Sequence, residues 1–342
     1  VKIVVLVFLL GLFGPLGVAA RVAVREARER VLATDSEIVA LEFSADGSKI
    51  AALGERGDFH IWDAASGEVV GVRRFALPQS PSARSISISP RLDEMASIVD
   101  RDVFAEVQIS SLLDGRVLAR IPGKPMISSV RFSRDGERLA CVVFDPFNGW
   151  YGPALVVSAK GAPLFEVGSP SAVQDVCWTG RGELMTLGGG ATHFWSETGE
   201  CELWWRAPDT FLGLDASCDA SADGETFVVG ETLGIIDWSN VKASRETSFA
   251  CVFRRDGTTL FRREMPGRST TRLSPRADLV AVRPLKADEF HLYALSHGAE
   301  VGHLRAKHLV FSPTERVLAW DDGARVHLAP VSWLGRRLNL LH

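Results

Sequence analysis

The chain has 342 residues, 46% of them apolar and 23% charged, with a formal net charge of −4. So much apolar content excludes a disordered chain. The slight acidic excess leaves no basic footprint, so no nucleic-acid partner is expected.

The first segment stands apart. Residues Ile3 to Ala20 carry no charge and end in the small residues Val18-Ala19-Ala20. That pattern fits a signal peptide cleaved after Ala20, and the same apolar helix is long enough to span a bilayer. Residues 1–20 are therefore expected to be a signal peptide or a membrane anchor, with 3–20 carrying any membrane association. The leading expectation is an exported or anchored chain on the periplasmic or extracellular side. The alternative is the cytoplasmic face, because Arg21, Arg25, Arg28 and Arg30 follow the segment and basic residues favour the inside.

Beyond it, an apolar run ends seven times in a small hydroxyl residue followed by a polar turn. These residues are Ser44, Ser89, Ser133, Thr179, Ser221, Ser274 and Ser312, spaced by 45, 44, 46, 42, 53 and 38 residues. A period in the mid-forties built of short strands predicts a β-propeller. The clearest copy reads Ile38–Phe43, turn Ser44-Ala45-Asp46-Gly47, Lys49–Leu53, turn Arg56-Gly57-Asp58, Phe59–Asp63, turn Ser66-Gly67, then Glu68–Arg73. Asp and Gly suit such turns because they tolerate the left-handed backbone.

The remaining blades are expected at about 84–121, 127–168, 172–207, 214–265, 269–304 and 306–330. In the fifth, the third strand is placed at Phe249–Arg254, in preference to Gly234–Trp238, which leaves 231–247 as a long loop. The seventh lacks a fourth strand of its own. Arg30-Val31-Leu32-Ala33 looks like Arg116-Val117-Leu118-Ala119, the fourth strand of the second blade. Residues 29–34 are therefore expected to close the ring, with Val331–Leu338 as the runner-up. Residues 21–335 form the propeller in this reading, and 336–342 a tail.

The unit resembles the WD40 repeat. The likeness lies in Phe43-Ser44-Ala45-Asp46-Gly47 with Trp62-Asp63, and in Val130-Arg131-Phe132-Ser133-Arg134-Asp135-Gly136. It implies an all-β, seven-bladed propeller of four-stranded antiparallel blades. It also implies a non-catalytic scaffold for protein partners. The family's buried network of His, Ser/Thr, Asp and Trp is not carried over. Trp320-Asp321 falls on a second strand, and Gly302-His303 is misplaced.

Sites of chemistry are sparse. Gly188-Gly189-Gly190 is followed by a strand where a phosphate loop needs a helix. His291, His297, His303 and His308 have spacings that match no metal template. The five cysteines are odd in number and irregularly spaced, and make no disulfide framework. No cofactor or metal is expected. Asp175, Asp219 and Arg131 are candidates for the central channel, where an enzyme or small-ligand binder would act; that is the alternative function.

The stronger lead is two insertions between second and third strands, at 144–153 and 231–247. Both rise from one face. They place Phe147, Trp150, Tyr151 and Trp238 as a candidate partner-binding cluster, aromatics being favoured at binding hot spots. Trp204-Trp205 on the fourth blade is a weaker patch.

Overall fold

A computed structural model describes residues 29–331, apart from 76, 78–84, 102–103, 123–125, 146–149, 169–172, 189–190, 207–212, 236–244, 266–268, 285–286 and 315–316. The apolar segment 1–20, the tail 336–342 and the runner-up closing strand beyond Val331 lie outside the described residues. Among those described, no helix is long and apolar enough to cross a membrane.

The chain forms seven four-stranded antiparallel sheets. Strand β1 (Arg30–Ala33) comes first. Blade one is β2 (Ile38–Phe43), β3 (Lys49–Gly54), β4 (Asp58–Asp63) and β5 (Val69–Arg74). Blade two is β6 (Ile86–Ile88), β7 (Glu94–Arg101), β8 (Phe104–Ser111) and β9 (Val117–Pro122). Blade three is β10 (Met126–Phe132), β11 (Arg138–Asp145), β12 (Trp150–Ser158) and β13 (Pro163–Val167). Blade four is β14 (Asp175–Trp178), β15 (Leu184–Gly188), β16 (Ala191–Trp195) and β17 (Cys201–Arg206). Blade five is β18 (Gly213–Ala220), β19 (Thr226–Ile235), β20 (Arg245–Arg254) and β21 (Thr259–Met265). Blade six is β22 (Ser269–Leu273), β23 (Leu279–Pro284), β24 (Glu289–Ala294) and β25 (Glu300–Arg305). Blade seven is β26 (Leu309–Phe311), β27 (Val317–Asp321) and β28 (Arg325–Pro330).

Strand β1 supplies the missing fourth strand of blade seven, with Arg30 opposite Leu328 and Ala33 opposite Arg325. The innermost strands β2, β6, β10, β14, β18, β22 and β26 touch in cyclic order, so the ring of blades is closed. The core is correspondingly divided: seven apolar clusters each fill the interface between two neighbouring blades. Alternation explains how one strand serves two of them. On β3, Ile50 and Ala52 pack toward blade seven, whereas Ala51 and Leu53 pack toward blade two. Strand β5 faces solvent instead, and Val69, Val70 and Val72 are exposed.

The seven hydroxyl residues are all buried. In blade five the Ser221 hydroxyl donates to Asp223 at 2.6 Å and accepts the Thr226 N–H at 2.9 Å. Blades one, three and six repeat the arrangement: the Lys49, Arg138 and Leu279 N–H groups donate to Ser44, Ser133 and Ser274, each at 2.9 Å. The third residue after the hydroxyl has positive φ in six blades. Glycine fills four of these positions, and Leu92 (φ 59°) and Ala277 (φ 56°) fill the others.

Two expectations need correction. Residues 231–247 are not a long loop: 231–235 continue β19 and 245–247 open β20, paired in register from Thr226–Arg254 to Ile235–Arg245. Likewise Trp150 and Tyr151 lie on β12, opposite Asp145 and Phe144. The polar stretch Glu231-Thr232 hid the strand, because ladder hydrogen bonds do not depend on an apolar side chain. Parts of the buried network are also present. Ser36 donates to Asp58 in blade one, and His308 bonds Asp321 in blade seven. Trp195 donates to Thr186 at 2.9 Å in blade four.

Candidate functional site

Every inner strand ends at its hydroxyl turn, so side chains two residues earlier point to the same side, into the channel. The ring they form carries two acids and two arginines: Glu42, Asp219, Arg131 and Arg272. Ser87, Cys177 and Val310 complete it. One residue past the hydroxyl, Arg134 joins at the channel mouth. The cavity encloses about 350 Å³, at the lower end of small-ligand sites.

Asp175 sits one pleat deeper, 3.9 Å from the Arg131 guanidinium, and accepts the Cys218 N–H at 3.2 Å. Asp219 accepts the N–H groups of Ala220 at 2.9 Å and Leu273 at 3.0 Å. Both carboxylates thus bond strand amides; Asp219 also lines the channel, and Asp175 stands behind it against Arg131. Arg134 donates to the Trp178 carbonyl at 3.2 Å and the Ala220 carbonyl at 2.6 Å. It thereby ties blade three to blades four and five at the mouth.

The enclosed charges shift one another. Burial pushes the Glu42 carboxyl up to about 7, although Arg272 and Arg131 pull against it. Burial also lowers Arg272, and repulsion from Arg131 adds to this. Burial opposes the charge on Arg131 too, but the anions around it, Asp175 foremost, raise its pKa. The Cys218 thiol is raised well above its ordinary range by burial and by its bond with Cys177. Such a thiol is a poor nucleophile, and His308 is engaged by Asp321. The channel is thus equipped to hold a small polar molecule by charge.

Sequence reasoning named Asp175, Asp219 and Arg131 here and missed Glu42, Arg272 and Arg134. A signal was available: Glu42, Arg131, Asp219 and Arg272 all lie two residues before a hydroxyl of the repeat.

The opposite face carries the hairpins between second and third strands. Second strands start five residues after the hydroxyl in every blade, yet they end at different heights. They run 5 or 6 residues in blades one, four, six and seven, 8 in blades two and three and 10 in blade five. At 3.4 Å per residue, β19 outreaches β15 by roughly 17 Å. Of the aromatic cluster, Trp150 and Tyr151 lie on the blade-three hairpin. Phe147 and Trp238 lie outside the described residues, as do the side chains of Trp150 and Tyr151. Trp204 and Trp205 are on β17, opposite His193 and Thr192. Of the four C-terminal histidines, His291 and His303 stand opposite each other on β24 and β25, ring centroids 6.4 Å apart, but each faces a carboxylate: His291 bonds Glu300 at 2.8 Å, and His303 lies 3.6 Å from Glu289.

No family model matches the sequence, and no curated protein matches it. Solved structures do match the fold. The Cps50 (Swd1) β-propeller domain of Myceliophteria thermophila is 13% identical with a TM-score of 0.60, over 89% of this chain and 100% of that one. Hydrazine synthase of Kuenenia stuttgartiensis is 11% identical with a TM-score of 0.64, over 88% and 97%. At such identities the likeness establishes the seven-bladed propeller, shared with a WD40-type domain and with an enzyme alike, and nothing of function.

Proposed function

We propose that the chain is a non-catalytic scaffold that holds a protein partner on the face bearing its long hairpins. The observation that carries this is the uneven height of those hairpins: blades two, three and five rise where four others stop short. A propeller stabilised only by blade-to-blade packing has no use for them, and loops displayed on a rigid base are favoured binding elements. Phe147, Trp150, Tyr151 and Trp238 belong to these hairpins and would supply the aromatic anchors.

The test trims the tallest hairpin. Replacing 233–247 by Asn-Gly leaves Thr232–Ser248 as the last rung. This variant, and a triple change of Phe147, Trp150 and Tyr151 to Ala, should lose the native partner in a cross-linked pulldown while melting within a few degrees of the parent. Undiminished capture by both variants would refute the assignment.

The channel supports a second reading, a site for a small polar ligand, with Glu42, Asp219, Arg131 and Arg272 as its contacts. Under that reading Arg272→Met abolishes ligand binding and hairpin trimming leaves it intact.

A further inference from the structure

Away from the channel, on blade one, three potential ligand atoms converge. The Nε2 atom of His60 lies 3.6 Å from Asp58 Oδ2 and 3.9 Å from Asp35 Oδ2. His60 is 93% buried by its 7% exposure, and its Nε2 has no hydrogen-bond partner. A buried imidazole nitrogen facing two carboxylates with no bond made is an unmet demand. Asp58 is 1% exposed. Among the described residues no lysine or arginine stands within ion-pair distance of it, although a buried carboxylate needs a cation.

The surroundings are arranged around the Asp58 carboxylate. The Ser36 hydroxyl donates to Oδ1, and the Asp35 N–H donates to Oδ2 at 3.2 Å. Gly54 leaves the space: a Cβ there would lie 2.5 Å from both Asp58 oxygens. His60 is held flat against Trp62, ring centroids 5.4 Å apart at 11°. Asp35, by contrast, is on the surface with its side chain 63% exposed. The site is therefore rigid on two sides and open on the third.

We infer that Asp35, Asp58 and His60 form a three-ligand site for a divalent cation of the zinc class, with a solvent molecule in the fourth position. Zinc bonds of about 2.0–2.1 Å to nitrogen and oxygen in a tetrahedron place ligand atoms about 3.4 Å apart. The His60–Asp58 separation of 3.6 Å is already close to this, the His60–Asp35 separation is 3.9 Å, and all three atoms lie within 4.8 Å of one another, so a turn of the exposed Asp35 side chain brings the third ligand in. One imidazole with two carboxylates suits zinc better than calcium or magnesium, which take oxygen ligands. The Ser36 bond to Asp58 is the outer-shell contact that such sites use to fix a ligating carboxylate. The sequence spacing of Asp35, Asp58 and His60 resembles no ligand template, because the loop before β2 and the start of β4 meet only in the folded blade.

The experiment uses the full chain, stripped with chelator and titrated with zinc chloride by calorimetry and by thermal melt. One equivalent should bind and raise the melting temperature by several degrees, while calcium and magnesium do neither. Cobalt in place of zinc should give the visible bands of a four-coordinate site. Asp35→Asn should weaken zinc at least tenfold and remove the cobalt bands, while its metal-free melt stays that of the parent. An absence of zinc uptake overturns the inference, and so does an Asp35→Asn variant that binds zinc like the parent.

Discussion

Glu42→Gln probes the channel most directly. Glu42 is half-buried in the ring, with Arg272, Arg131 and Arg134 attracting its charge and Asp219 repelling it. Burial outweighs the attraction and moves the carboxyl from 4.5 to about 7. The folded chain therefore holds this proton more tightly than the unfolded chain. Folding stability must fall as the pH rises from about 4.5, and the fall is complete once the pH passes about 7. At about 1.4 kcal/mol per pH unit, the loss reaches up to about 3 kcal/mol. Glutamine keeps the shape and carries no charge to bury. The variant should match the parent near pH 5 and exceed it by up to about 3 kcal/mol at pH 8. Urea unfolding at half-unit steps from pH 5 to 8.5 measures both curves. A gap that stays constant over this range, or a variant less stable at pH 8, would refute the argument that burial dominates over the arginines.

Three further outcomes follow from the packing. Ser221→Ala removes the acceptor of the buried Thr226 N–H and the donor to Asp223. It should cost about 2–4 kcal/mol in denaturant unfolding, and a cost below 1 would show that water replaces the hydroxyl. Gly47→Ala places a Cβ at φ 68° and 2.6 Å from the Ser312 hydroxyl of blade seven. A loss of about 1–3 kcal/mol is expected, measured the same way, with Ala277→Gly near neutral as the control. Leu32→Ala empties a buried position in the cluster that joins β1 to blades seven and one. Its cost of about 2–4 kcal/mol should appear together with faster amide exchange along β28, whereas unchanged exchange there would separate Leu32 from ring closure.

Much of the fold was legible because a propeller blade is a local object. The hydroxyl at each first turn, Gly47 or Gly136 three residues on, and the similarity of Arg30-Val31-Leu32-Ala33 to a fourth strand are all short-range patterns. The blade number, the strand order and the closing segment followed from them. The choice of Phe249–Arg254 as a third strand also held, anchored by the Arg255-Asp256-Gly257 turn. The height of the blade-five hairpin did not follow, since the polar pair Glu231-Thr232 interrupts the apolar pattern that marks a strand in the sequence, while the backbone ladder runs on through it. Insertion length did mark two of the three long hairpins, those of blades three and five, and left out that of blade two.

The sites depended on closure. Glu42, Arg131, Asp219 and Arg272 are spread over four blades, and each alone is an ordinary polar residue on an apolar strand. Only the ring brings them within Coulomb range and gives Glu42 the burial that raises it. Asp35 likewise becomes a neighbour of Asp58 and His60 only when the loop before β2 folds against the start of β4. The sequence by itself determined the repeated unit, because hydrogen-bonded turns and alternating burial act over a few residues. The tertiary structure alone decided which charges meet, because the channel contacts join residues on separate blades and exist only once the ring is shut, and Asp35 reaches Asp58 and His60 only in the folded blade.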